Sequence, residues 1–553
     1  MTRFLVLLLV ACSAGPPGPG LDTDRVLDHV ALLAKTPRVH DTDASRAALA
    51  YIEHEIGGGE RLRVGDVSLS AIDVLGERFR EAHVAHTDDP DLLVRFGPPG
   101  KALLITAHYD TVPGSPGATD NAVAVGLLIE LARELRDHAP AHPVMLAFTA
   151  DEEDGLVGAE ALARDRDDIG FVVALDLLGG DGDLVLNGAS TRIGTAEMRW
   201  LAHAADRAGM IVRAPLPHRV VSRWWPQLER ADHGAFFHRG IRAFHLYNRG
   251  NDGDWIDVAY HGPGDVPSRV ARGSVDAAGR LVRALVTDPV PAHTSDGFWL
   301  PLAANTVIPR AVLLALEIAL ALAALAGLAL LVGPRTRGGL GLVAGTGCFA
   351  LAVALASLVR HYPGDWLLAP QRHELALTAV IAGGFVLLAR VAARVRPWVG
   401  RDRYLALALA LSLAVGLTLL AAGAAELAWI WLVPAAALAL ARRWPVAAQA
   451  SLVPAILVLA PGQLREAAWN GFLPVGLPLA VWLAALGAPA AAALAWALRR
   501  RAVRGPLGSL VLAMGCGLAV AAGAAIVLLA HPACSAAEFK QFQLACEQVR
   551  TWP

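Results

Sequence analysis

Two hydrophobic rhythms divide the chain. Between residues 21 and about 290, short unbroken apolar runs alternate with segments whose apolar residues recur every three to four positions. Ala102–Ala107, Val144–Thr149 and Phe171–Leu175 are runs of five or six residues, the pattern of strands buried on both faces. Asn121 to Arg136 instead sets Val125, Leu128, Ile129, Ala132 and Leu135 at helical spacing. Strands alternating with helices predict a layered α/β domain with a largely parallel sheet. From about 309 the runs lengthen, at 311–332, 340–359, 375–393, 404–422, 424–441, 445–461, 471–498 and 506–530. Most approach or exceed the roughly 20 residues that cross a bilayer, predicting a polytopic all-α membrane domain of about eight helices.

Composition agrees with a divided chain. Over all 553 residues, 55% are hydrophobic and only 18% charged, too apolar for a wholly soluble protein. The net charge of -2 conceals 42 acids against 28 bases in residues 21–300, and 8 against 20 in the remainder. The bases of the second half gather in alternate loops: odd-numbered loops, such as Arg335 with Arg337 and Arg499 to Arg501, hold 13, and even-numbered loops hold 3. The positive-inside rule then makes the odd loops cytoplasmic and sets the N-terminal domain and the C-terminal tail outside. Gly487-Ala-Pro489 inside the 471–498 run predicts a kink, since a hairpin there would reverse the parity that follows it.

The N-terminus fits that orientation. Arg3 and the apolar run after it are too short to span a membrane and read as a signal peptide for export. Leu9-Val10-Ala11-Cys12 has the form of a bacterial lipobox, making Cys12 a lipidation candidate. Cys534 and Cys546, in an exterior tail, are a candidate disulfide. The boundaries that follow are 1–20 for signal and linker, 21–290 for the α/β domain, 291–308 for a linker, 309–530 for the membrane domain and 531–553 for the tail. Glu317, a carboxylate inside the first span, is either functional or a packing residue.

The chemistry lies where the predicted strands end. His108-Tyr109-Asp110 follows the first, then Gly117-Ala-Thr-Asp120-Asn121 opens the helix. Asp151-Glu152-Glu153-Asp154-Gly155 follows the second, and Asp176 ends the third. Tyr260-His261-Gly-Pro-Gly-Asp265 comes later. Open α/β sheets build sites at the carboxyl ends of their strands. Two His with several carboxylates, and no thiolate in the domain, suit zinc. One His-x-Asp or Glu-Glu is more often a surface pair; the ordered series is what carries weight.

The series His108-Tyr-Asp110-Thr111, Gly117-Ala-Thr-Asp120-Asn121, Glu152-Glu153-Asp154-Gly155-Leu-Val-Gly158-Ala159, Leu175-Asp176 and Tyr260-His261 resembles the M28 family of zinc peptidases. With a multispan C-terminal half, the chain is similar to the membrane-bound branch of that family. The resemblance implies a three-layer α/β/α domain of phosphorylase/hydrolase-like fold and two zinc ions per chain. It implies that His108 and Asp176 hold one ion, Glu153 and His261 the other, and that Asp120 bridges them. Glu152 would be the general base and Asp110 would orient His108. Ala159 and Gly262 stand where Ser and Thr are commoner, and neither change removes a ligand atom. Two dications nearly balance three ligand carboxylates, as a partly dry site requires. Ala231-Asp232-His233-Gly-Ala-Phe236 resembles a segment near the site in that family, so Asp232 and His233 are further candidates.

The implied activity is zinc-dependent hydrolysis of peptide bonds by a membrane-anchored aminopeptidase, with peptides and the lipid bilayer as partners and the site outside a bacterial cell membrane. Glutaminyl cyclases share the fold and several motif residues but use one zinc, so glutaminyl cyclisation is an alternative. A receptor or transporter whose outer domain only binds ligand is another, though such a module has no need of Glu152. The acidic domain lacks a basic patch with interleaved aromatics, which argues against nucleic acid. Side-chain preference and oligomeric state are not legible.

Overall fold

The computed structural model describes residues 18–69, 83–187, 193–214, 231–248, 260–294, 297–299, 305–332 and parts of 409–441. The chain divides into two compact units at Val307 and Ile308. The first opens with helices α1 (Thr23–Leu33) and α2 (Asp43–Glu55), started by Asp22 and Thr42, whose side chains accept the Arg25 and Ser45 N–H groups.

The sheet follows. Its strands are β1 (Glu60–Leu62), β4 (Asp91–Phe96), β5 (Ala102–His108), β6 (Val144–Thr149), β7 (Ile169–Leu175), β8 (Leu184–Asn187), β9 (Val212–Arg213) and β10 (Arg242–Tyr247). β2 (Gly65–Leu69) and β3 (His83–Thr87) form a separate antiparallel pair. The order across the main sheet is β1-β4-β6-β5-β7-β10-β8-β9. The centre, β6-β5-β7-β10, is parallel, as the apolar runs predict. The flanks differ: β4 lies antiparallel to β6, and β8 antiparallel to β10, so the sheet is mixed. These flanking strands need less apolar sequence because fewer neighbours cover them.

Alternate residues of each central strand feed opposite cores. Leu103, Ile105, Ala107, Leu146, Phe148, Phe171 and Val173 face α1, α2, α3 (Val123–Asp137), α5 (Thr195–Ala208) and α7 (Arg272–Thr287). Leu104, Met145, Ala147 and Val172 face α4 (Val157–Asp165) and α6 (His233–His238). This is a three-layer α/β/α arrangement, and α3 and α4 return the chain so that β5, β6 and β7 all end on one edge. Residues 291–308, expected as a linker, carry a ribbon of β11 (Gly297–Trp299) and β12 (Val307–Pro309). Trp299 is buried in the first core, and its indole N–H donates to Val212 O at 3.1 Å.

In the second unit, α8 (Arg310–Val332) and α9 (Ala425–Ala441) pack through Ala321, Ala324, Leu432 and Ala435, with Leu409 and Leu413 beside them. Over Arg310–Leu328, α8 has a mean hydropathy of 2.4 and is long and apolar enough to cross a membrane, the one such helix among the described residues. Leu316 and Leu322 lie 54% and 61% exposed on it, a face suited to an apolar surrounding, whereas Glu317 is buried. α9 is apolar but shorter, at 17 residues. The spans expected at 340–359, 375–393, 445–461, 471–498 and 506–530 lie outside the described residues, as do Cys12, Cys534 and Cys546.

Candidate metal centre

Strand ends and the turns after them supply every group of the site. β5 delivers His108 as its last residue, with Asp110 two positions on. The chain then runs to Gly117, which takes a left-handed conformation (φ 65°) to open the turn Ala118–Ala122 at the start of α3. A side chain at Gly117 would collide with the Asp120 carbonyl, so glycine is required there. The Asp120–Asn121 peptide is cis. Asn121 donates its side-chain amide to Leu175 O at 2.8 Å, tying this turn to the end of β7, where Asp176 follows.

The turn after β6 carries Glu152 and Glu153. It is a tight reversal in which Gly155 and Leu156 N–H groups return to Glu152 O, and Gly158 N–H returns to Ala150 O. A Cβ at Gly158 would stand 2.7 Å from Ala150 O, so this glycine allows α4 to start directly against the strand end.

Asp120 sits between two groups of ligand type. Its Oδ1 is 3.2 Å from His108 Nε2, and Asp176 Oδ1 is 3.4 Å from the same nitrogen. Its Oδ2 is 3.3 Å from His261 Nε2, and Glu153 Oε2 is 3.1 Å from that nitrogen. The five residues that the resemblance implies as ligands therefore converge as two trios, His108/Asp120/Asp176 and Asp120/Glu153/His261. A tetrahedron with zinc–ligand arms of about 2.0–2.1 Å has edges of about 3.3 Å, and these separations match it. Glu153 Oε1 is buried without a hydrogen-bond partner among the described residues, leaving a further oxygen for a cation. The donor set and its spacing fit two zinc ions.

Electrostatics favour the same occupant. Burial pushes the Glu152 carboxyl well above the usual carboxylate range; His108 opposes this, while Glu153 and Asp176 add to it. Burial likewise raises Glu153 to about 7, against the pull of His261. Burial disfavours charge on His108 and His261, yet the surrounding carboxylates hold both imidazoles well above their ordinary pKa. At Asp120 burial is outweighed by His108 and His261, which hold its carboxyl well below the usual range. Glu152, Glu153, Asp176 and both imidazoles are driven towards protonation, so the cluster demands positive charge.

Asp110 joins two of the motifs. Its Oδ1 is 3.5 Å from His108 Nδ1, and its two oxygens accept the Glu152 and Glu153 N–H groups at 3.1 and 3.2 Å. Glu152 is buried at the edge of the site, close enough to form a third grouping with His108 and Glu153. Asp232 accepts a hydrogen bond from Thr149 Oγ1 at 2.7 Å. His233 stacks on His245 with ring centroids 5.5 Å apart, and His245 Nε2 lies 3.8 Å from Asp176 Oδ2. His233 thus backs the imidazole beside Asp176, while Asp232 anchors the end of β6. Asn248, after β10, is buried and accepts the Gly179 N–H at 2.9 Å.

Other groups at the site carry little signal in a single sequence. Arg38, between α1 and α2, is buried beneath the loop after β5, and burial lowers its pKa to about 10. Asp265 is buried under the Asp120 turn; its place four residues after His261 was the only available hint. His40 gathers Asp151 and Asp154 into a half-exposed cluster, with His40 Nε2 2.8 Å from Asp154 Oδ2.

The comparisons with known proteins bear on the same residues. The sequence profile of Peptidase family M28 matches residues 93–286. A vacuolar membrane protease of Schizosaccharomyces japonicus is 30% identical over 154 residues, 26% of this chain and 18% of that protein. Aminopeptidase YwaD of Bacillus subtilis is 27% identical over 201 residues, 34% of this chain and 41% of that protein. The chain thus spans less than half the length of either relative. The solved structure of a Zn-dependent exopeptidase from Parabacteroides distasonis is 19% identical and covers 49% of this chain and 99% of that one, with a TM-score of 0.40. Residues 93–286, with the ordered His108-to-His261 series inside them, match the profile of peptidase family M28, and the chain is similar to the vacuolar membrane proteases of its membrane-bound branch.

Proposed function

We propose that this chain is a membrane-anchored dizinc metallopeptidase, an aminopeptidase that hydrolyses peptides outside the cytoplasm. The observation that carries the reading is the division of the Asp120 carboxylate, one oxygen towards His108 and the other towards His261. His108 and Asp176 would hold one zinc, His261 and Glu153 the other, with Asp120 shared. Bound zinc supplies Lewis acidity for the scissile carbonyl and acidifies water to a pKa of about 7.

The protein's own groups do the rest. Glu152, free of the two ligand trios yet beside them, accepts the proton of the attacking water and returns it to the leaving amine. Asp110 fixes the ring of His108 and, through two backbone N–H groups, the position of Glu152 itself. The low-dielectric pocket strengthens each of these interactions. The membrane assignment is supported by α8, by the long apolar runs after it and by the vacuolar membrane protease relatives. Eight spans, the exterior domain with the 21–290 and 309–530 limits, a bacterial cell membrane, lipidation of Cys12 and a Cys534–Cys546 disulfide complete the proposal.

Glu152→Gln tests it. The variant should keep its zinc and lose about 10²–10⁴ in hydrolysis of amino-acid amides, the usual contribution of a general base. Undiminished hydrolysis would remove Glu152 from its role. Turnover of a glutaminyl peptide to its cyclised product, with no amide hydrolysis, would replace the peptidase reading by the cyclase one.

A further inference from the structure

The turn that presents Asp120 is gripped from both sides by buried charged residues outside the ligand set. On one side lies Arg38, 2% exposed. Its Nε donates to Tyr109 O at 2.8 Å, its Nη1 to Leu33 O and Pro116 O at 2.8 Å each, and its Nη2 to Gly117 O at 3.0 Å. Its backbone N–H donates to Thr111 Oγ1 at 2.8 Å, and its carbonyl accepts the Thr111 N–H at 3.2 Å. One guanidinium thus spans the whole loop between His108 and Asp120, taking carbonyls from both ends. On the other side lies Asp265, fully buried. Its Oδ1 accepts the Thr119 N–H and the Thr119 hydroxyl at 2.8 Å each, and its Oδ2 accepts the Asp120 N–H at 3.0 Å. Its carbonyl accepts the Ala118 N–H at 3.1 Å.

Burying a guanidinium on neutral carbonyls, and a carboxylate on N–H groups, is costly unless the geometry gained is needed. The need is specific at Asp120. A carboxylate serving one centre tolerates rotation, because its other oxygen is idle. Asp120 keeps both oxygens engaged, within 0.1 Å of the same distance from two imidazoles on separate segments. Asp265 also follows His261 by four residues, so its grip ties the His261 segment to the Asp120 peptide. We propose that Arg38 and Asp265 are positioning residues, a two-sided clamp that fixes the Asp120 turn so that one carboxylate can serve both metal positions. The inference rests on the dizinc reading above.

Conservative variants of the full chain in detergent test it: Arg38→Lys, Asp265→Asn and Thr119→Val, the last removing only the hydroxyl that reaches Asp265. Lys cannot span the loop, since its ammonium is a single point. Zinc affinity is measured by competition with a chelator, alongside kcat, KM and the melting temperature of the zinc-free protein. The clamp predicts zinc binding weakened about 10–100-fold, the effect of losing an outer partner of a ligand. It also predicts a fall in kcat with little change in KM, and a zinc-free melting temperature close to wild type for Thr119→Val. Two ions bound with wild-type affinity in all three variants would overturn the clamp alone. So would lower melting temperatures with unchanged affinity, the mark of a merely structural role. A wild type that binds no zinc would overturn the dizinc reading and the clamp with it.

Discussion

Asp110 Oδ1 stands 3.5 Å from His108 Nδ1 and accepts the Glu152 N–H at 3.1 Å, so one carboxylate oxygen faces both a ligand and the base. Asp110→Asn replaces one of its oxygens by a donor and leaves either His108 or a backbone N–H unsatisfied. Zinc affinity should fall about 10–100-fold and kcat with it. Atomic absorption against chelator concentration, with amide hydrolysis, checks this; unchanged zinc affinity would reduce Asp110 to a loop anchor.

Gly158→Ala tests how tightly the Glu152 turn is built. The added carbon would lie 2.7 and 2.8 Å from Ala150 O and N, so the strand end must move. Overpacking of this kind costs about 1–3 kcal/mol. A lowered melting temperature together with lost activity is expected, because Ala150 leads directly into Asp151 and Glu152. A variant with wild-type melting and kcat would show that the turn yields without consequence.

Acid sensitivity should trace partly to Asp168. Arg166 holds its carboxylate through paired contacts of 2.9 and 3.0 Å, and Arg95 adds one of 2.7 Å. The Arg166 hydrogen bonds, against an opposing effect of burial, depress its pKa below 3.8. A depressed carboxylate stabilises the fold above its unfolded pKa and loses that contribution as pH falls through the folded value. Asp168→Asn should therefore cost at most about 1 kcal/mol at pH 7, and the gap from wild type should narrow at pH 3. Thermal melts at the two pH values decide it, and an equal gap at both would contradict the assignment.

The membrane half is testable from its basic loops. Thr336→Cys lies between Arg335 and Arg337, and His361→Cys lies in the following loop. In a background without native cysteines, an impermeant thiol reagent applied from outside should label position 361 and spare 336. The reverse pattern would invert the proposed topology.

The sequence was most informative where burial on both faces forces continuous apolar runs. Val144–Thr149 is the strand as expected, and the runs at 102 and 171 became Ala102–His108 and Ile169–Leu175. The antiparallel flanks were not visible, because strands such as β1 (Glu60–Leu62) are short and polar. At the site, the resemblance to a family pointed to His108, Asp120, Glu153, Asp176 and His261, and the structure brings these five side chains together. Arg38 was not legible, and Asp265 showed only as a carboxylate four residues after His261: the side chains of both bond chiefly to backbone groups, which leave no side-chain signature, and those groups lie more than 70 residues away apart from Leu33. The ribbon at 297–309 was also hidden, since two three-residue strands are too short to show a period.

Whether one carboxylate, Asp120, serves two zinc positions is decided by counting metal per chain in the purified protein. Mass-spectrometric zinc analysis should give about two ions in the wild type, and Asp120→Ala should lose both together while the protein keeps its secondary structure. One ion or none in the wild type, or two retained without Asp120, would contradict the account.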